Sequence, residues 1–257
     1  MFLVFIDSAY LAVSGAMLSG FFSPVIAGLS SIGFQMIQMP MSIIGGSIRQ
    51  VFLQRSAAAK HNGTLSELVN EICSVLIVLS VMPFFLLGVV GGNLFGLVFG
   101  SEWYEAGVYA QILALWAMIW FVASIMSELI YVLEFQGFGF LYNVLNLSTR
   151  LLSLLIGGLA GNVYLGLFLF MVSGVFVYSF MGYVVVKHSG GSFEVIGKTV
   201  LRSVLLAVAG AAVVLGLKVV GVPSLIVCGV AVLVGVLYVG WLVKKERVVR
   251  GYAGLGK

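Results

Sequence analysis

From Ile72 to Phe99 the chain carries no Asp, Glu, Lys or Arg. A helix rises about 1.5 Å per residue, so about 20 residues cross a bilayer core of about 30 Å, and this run is long enough to do so. Runs of the same kind recur along the chain, and the segmentation reads as spans at 1–22, 25–48, 72–99, 107–134, 138–160, 163–186, 201–221 and 223–243. The expected fold is therefore all-α, a multipass transmembrane helical bundle of about eight spans. Transmembrane strands need only about 9–11 residues with alternating polarity, which these runs exceed without alternating. Composition agrees: charged residues make up 9% and hydrophobic ones 61%, where a soluble domain carries about a quarter charged residues. Lipid is the solvent for most of such a chain.

Turn and charge residues separate the runs. They are Pro24, the stretch that opens at Arg49, Gly100 to Gly107, Gln136-Gly137, Gly161-Asn162, Lys187 to Lys198, and Gly221 to Pro223. An even number of spans puts both termini on one side. Arg49, Arg55, Lys60, Lys187, Lys198, Arg202, Lys244, Lys245, Arg247, Arg250 and Lys257 then share that side, Lys218 stands opposite, and Arg150 falls inside a span. The positive-inside rule predicts both termini cytoplasmic. Cations spread over span ends in this way do not form a nucleic-acid surface. The opening residues lack a basic leader and stay apolar past signal-peptide length, so they read as a first span.

Several local features carry expectations of their own. Span two continues into the cytoplasm as helix, stops at Asn62-Gly63, and hands over to a new helix capped by Thr64 and Glu67. Pro83 lies inside span three and predicts a kink near residues 79–83. Gly88, Gly92, Gly96 and Gly100 form a ladder that lets another helix approach, for packing or for sliding. Glu102 and Glu105 beside Trp103 and Tyr104 read as an interfacial anchor.

No phosphate loop, metal-ligand spacing, catalytic acid pair or nucleophile elbow is present, so no cofactor, no metal and no enzymatic role are expected. Cys73 and Cys228 have no spacing partner. The informative residues are those placed in lipid at a cost: Asp7, Glu128 and Arg150. Glu128 and Arg150 sit at similar depths in antiparallel spans, predicting either a structural pair or a working charge in a cavity. Asn143 and Asn146 precede Arg150 at offsets that put all three on one face. Gln35 and Gln38 share a face of span two and are expected to meet protein or a water-filled cavity. Trp116 and Trp120, one turn apart, suit packing or stacking on a sugar.

The stretches Phe21 to Ala57, Leu94 to Trp116 and Asn143 to Gly157 carry a resemblance. Ala27-Gly28, Pro40 before Gly45-Gly46-Ser47, Gln50-Val51-Phe52, and Phe99-Gly100 with Trp103 and Ala106-Gly107 occur in the order of the second half of the polysaccharide biosynthesis proteins. The chain thus resembles those lipid-linked oligosaccharide flippases, of the superfamily that also includes multidrug exporters and lipid II flippases. The resemblance implies a second-lobe-like bundle of six spans over 1–187, followed over 188–257 by an additional transmembrane hairpin with a basic tail. It implies a bacterial inner-membrane flippase, or its C-terminal half, for undecaprenyl-pyrophosphate-linked oligosaccharide. Its partners would be membrane lipid, the lipid-linked oligosaccharide, and an N-terminal lobe or partner subunit that completes the cavity. Carried onto this chain, the family's basic cavity residues support Arg150 as the substrate contact. The alternatives are a cation-coupled exporter of small amphipathic molecules and a nonfunctional or partial membrane subunit.

Overall fold

The computed structural model describes residues 13–245; Asp7, the start of the first span and most of the basic tail lie outside them. The described chain is all helical. Helix α1 covers 13–21, α2 Pro24–Asn62, α3 Leu65–Phe99, α4 Tyr104–Met126, α5 Glu128–Val132, α6 Gln136–Leu159, α7 Val163–His188, α8 Phe193–Val219 and α9 Ser224–Lys245. Among the described residues five helical stretches are long and apolar enough to cross a membrane, those beginning at Leu65, Ser101, Gln136, Val163 and Phe193. The difference from eight has a plain cause in each remaining helix. The start of α1 is not described, α9 reaches the limit of the described residues, and α2 is diluted by Ser30, Ser31, Gln35, Gln38 and Ser42.

Helix α2 runs on past the expected bilayer edge to Asn62 and ends where Gly63 turns left-handed, with φ 74°. A side chain at that φ would be strained, which is why Gly stops the helix there. The new helix begins at Leu65 as expected, but Thr64 makes no side-chain cap. The effective caps are elsewhere: Ser23 Oγ accepts from the Ile26 N–H, Asn162 Oδ1 from Leu165 and Ser192 Oγ from Val195. The 189–192 connector is pinned by the Ser192 N–H donating to Asn70 Oδ1 at 2.7 Å.

The spans alternate. One end of the bundle gathers the α2 terminus, the 132–136 turn and the α7 terminus: Lys60 donates to the Val132 carbonyl and pairs with Glu134, and Phe135 packs edge-on against His188. The other end joins Tyr164 to Glu105 by a hydrogen bond, Asn93 to Ser224, and Lys218 to the Val89 carbonyl. Helix α3 is central, packed by α4 on one side and by α8 and α9 on another. Helix α3 stays continuous through Pro83.

Close helix crossings are made by glycine, as lipid supplies no hydrophobic drive between helices and packing must be tight. The tightest α3–α4 approach is not on the expected ladder. Gly91 faces Gly107, and a Cβ on Gly91 would lie 2.8 Å from the Gly107 carbonyl oxygen, while Gly88 meets the Ala114 Cβ at an ordinary 3.9 Å. Gly100 ends α3 with φ 109° and leaves the ladder altogether. The Gln111 amide spans the same crossing, donating to the Gly88 carbonyl and accepting from the Gly92 N–H. Gly107→Ala is expected to lose about 1–3 kcal/mol of stability and Gly107→Leu to give no folded protein, whereas Gly88→Ala changes little. Thermal unfolding followed by size-exclusion chromatography in detergent reads all three, and equal tolerance at 107 and 88 would contradict the crossing.

Candidate substrate cavity

Helices α2, α4, α5, α6 and α7 line an open-sided cavity of about 630 Å³, and neither α8 nor α9 lines it. From α2 come Gln38, Ser42 and Arg49, with Gly45 and Gly46 between them keeping that wall low. From α6 come Gln136, Tyr142, Asn143 and Asn146, and from α7 Tyr178. Helix α4 supplies Trp120 and Ser124, followed by Ser127, Glu128 and Tyr131.

The expected span over 107–134 is one apolar stretch, Ser101–Val132, with a one-residue turn at Ser127 between α4 and α5. Ser124 Oγ donates to the Phe121 carbonyl and Ser127 Oγ to the Ser124 carbonyl, at 2.9 and 2.8 Å. Hydroxyls bonded back to the preceding turn bend helices. At this turn the Ser124 carbonyl accepts from Arg49 Nη2 at 3.4 Å.

Glu128 was expected to meet Arg150. It pairs instead with Arg49, whose Nε stands 3.3 Å from Glu128 Oε1, with side chains 49% and 16% exposed respectively. Arg49, which the sequence suggests as a topology signal, thus belongs to the cavity wall. Its long stem lets the charge reach inward from the α2 backbone.

Arg150 is 1% exposed and lies behind the wall rather than in the cavity. Its guanidinium carbon sits 4.1 Å from the Phe170 ring centre, 4.5 Å from Trp116 and 5.4 Å from Tyr178. The face shared by Asn146 and Arg150 is real: Arg150 Nε donates to Asn146 Oδ1 at 2.7 Å, and Asn146 Nδ2 donates to the Tyr178 hydroxyl at 3.2 Å. Asn143 Nδ2 donates to the Gly139 carbonyl at 2.7 Å. Gln38 lines the cavity, but Gln35 is exposed and does not. Trp116 is buried and stacks on Trp120, with centroids 5.2 Å apart and planes at 9°, and Phe34 stacks on both.

Sequence reasoning thus brings Asn143, Asn146, Glu128 and Gln38 to one cavity and misses Arg49, Ser124, Ser127, Tyr142 and Tyr178 as lining. The paired serines three residues apart are a signal for the turn. Nothing local in the sequence marks the tyrosines. Cys73 and Cys228 are both buried and free, and no group of metal-binding side chains occurs among the described residues.

This arrangement of helices has a counterpart among solved structures. The lipid II flippase MurJ, in an inward closed conformation, superposes with a TM-score of 0.73 at 12% identity, over 95% of this chain and 52% of that one. The chain has the fold of about half of MurJ. It spans about half the length of MurJ, so its helices match one part of that molecule. No family model and no curated protein sequence matches the chain.

Proposed function

We propose that the chain is one transmembrane lobe of a flippase that moves undecaprenyl-pyrophosphate-linked oligosaccharide across the bacterial inner membrane, from the cytoplasmic to the outer leaflet. The observation that carries this is a polar cavity between helices with the fold of about half of MurJ. Buried amides and an ion pair at membrane depth are costly unless they face a pathway. Moving the polar head of a lipid-linked substrate across the bilayer requires such a cavity and no covalent chemistry, so no enzymatic step is assigned. In this reading residues 1–187 form the lobe, 188–257 add a peripheral hairpin, and a second lobe, on the same or another chain, completes the pathway.

Both termini are assigned to the cytoplasm. The α2 and α7 ends that carry Lys60, His61, Lys187 and His188 come together at one end of the bundle, which makes that end the basic one. Reporter fusions after residue 104 and after residue 192 should read periplasm and cytoplasm respectively; the opposite pair would invert the topology. A cation-coupled exporter would want an unpaired acid in the cavity, whereas Glu128 is already paired with Arg49.

Function is tested by deleting the gene. Surface polysaccharide should disappear while lipid-linked precursor accumulates in the inner leaflet, and both should be restored by the full-length gene. Unchanged polysaccharide display would remove the assignment.

A further inference from the structure

We propose that this cavity recognises the carbohydrate part of its substrate, stacking a sugar ring on Trp120 and hydrogen-bonding it through Tyr178 and Asn143, and leaves the phosphate to be held elsewhere. The proposal deepens the flippase reading and rests on it. Its volume of about 630 Å³ falls within the roughly 300–1,000 Å³ of sites that enclose small molecules.

A pyranose has a C–H face and a rim of hydroxyls, so its complement is a flat aromatic ring edged by amides and hydroxyls. Trp120 is the member of its stack that reaches the cavity: Trp116 is 1% exposed, and Trp120 is half-buried and lines the wall. Trp116 and Phe34, stacked on it at 5.2 and 6.0 Å, hold the indole plane before any ligand arrives, which lowers the entropy cost of binding.

The polar edge is set by a chain of donors whose direction is forced. A guanidinium donates and cannot accept. Arg150 Nε therefore fixes Asn146 with Oδ1 toward itself, and Asn146 must then donate from Nδ2 to the Tyr178 oxygen. The Tyr178 hydroxyl, accepting there, keeps its own proton for a ligand acceptor. Asn143 donates to Gly139, which leaves its carbonyl oxygen to accept from a ligand hydroxyl. One edge thus offers a donor and an acceptor, as a sugar hydroxyl rim requires.

Charge argues the same way. Arg49, the cation that lines the cavity, is engaged by Glu128 and by the Ser124 carbonyl, and Arg150 sits behind the Trp116 and Phe170 rings. A phosphate entering here would meet a carboxylate as well as a guanidinium and would have to displace the one to reach the other. A neutral polyol meets no such conflict.

Saturation-transfer NMR on the full chain in nanodiscs, with maltose, lactose and chitobiose as probes, reads the contact directly. Ring C–H protons of at least one disaccharide should receive saturation. Trp120→Ala should cut that signal about fivefold or more, Trp120→Phe should keep most of it, and Trp103→Phe, in the turn at the far end of α4, should leave it unchanged. Excess inorganic pyrophosphate should not displace the sugar. The proposal is overturned by transfer to none of the three, by transfer that survives Trp120→Ala in folded protein, or by displacement with pyrophosphate. Sugar contact in a protein whose deletion leaves surface polysaccharide intact would keep the site and remove the flippase reading. Transport by a protein that shows no sugar contact would do the reverse.

Discussion

Arg150→Ala is expected to leave little folded protein, with stability lowered by about 3–5 kcal/mol. The side chain fills a space between three aromatic rings, its guanidinium carbon 4.1 to 5.4 Å from their centres, and at 1% exposure neither water nor lipid can take its place. The substitution removes that stacking, opens a cavity, and takes away the donor that orients Asn146. Arg150→Lys keeps the charge but gives up the planar stacking and the Nε–H, so it should lose about 1–3 kcal/mol and, once folded, transport within about threefold of wild type. The same box is open to attack from α7. A Cβ on Gly174 would lie 2.8 Å from Trp116 Nε1 and 3.1 Å from Arg150 Nη2, so Gly174→Ala should destabilise by about 1–3 kcal/mol through overpacking. Thermal unfolding in detergent, with surface polysaccharide measured per folded molecule, separates fold from transport. Well-folded but transport-dead Arg150→Ala would return this residue to the substrate.

What was readable in advance follows the range over which each signal acts. Span length, the Asn62-Gly63 stop and the shared face of Asn146 and Arg150 are properties of one helix, and local pattern carries them. The Glu128 partner is set by how α2 rotates against α4 and α5, across a sequence separation of 75 between Arg49 and Ser124, and no periodicity within either helix encodes that rotation. Arg49 also lay at the edge of an expected span, where a basic residue already has a sufficient reason to exist, so its reach into the cavity was hidden by its stem. The glycine ladder of Gly88, Gly92 and Gly96 does face α4, but it misses the tightest point for a related cause. Four-residue spacing marks a face of α3, but the point of closest approach depends on where α4 crosses, and that is at Gly91 and Gly107. Ser127 turns its helix by bonding its own backbone, a choice that a serine in an apolar run leaves undetermined.

The second large effect concerns the Arg49–Glu128 pair, and its size depends on which partner is removed. Glu128 is 16% exposed on its side chain and Arg49 49%. Removing Arg49 strands a carboxylate in a largely enclosed wall, where losing the partner of a buried charge costs about 2–5 kcal/mol. Removing Glu128 leaves a half-exposed guanidinium that still has the Ser124 carbonyl and can swing toward water. Arg49→Ala should therefore lower transport per folded molecule by tenfold or more, about 1.4 kcal/mol or above, and Glu128→Ala by clearly less. If the pair serves as a strut between α2 and the end of α4, then R49A/E128A removes the stranded charge and should recover transport to within about threefold of wild type. The charge-reversed R49E/E128R should do as well, since either orientation joins the helices. An anionic substrate held by Arg49 predicts otherwise: the double alanine variant would stay as low as Arg49→Ala, the reversed pair would fail, and Arg49→Lys would retain activity. Measuring these five variants against wild type in a deletion strain, normalised to folded protein, decides whether this ion pair shapes the cavity or grips what passes through it.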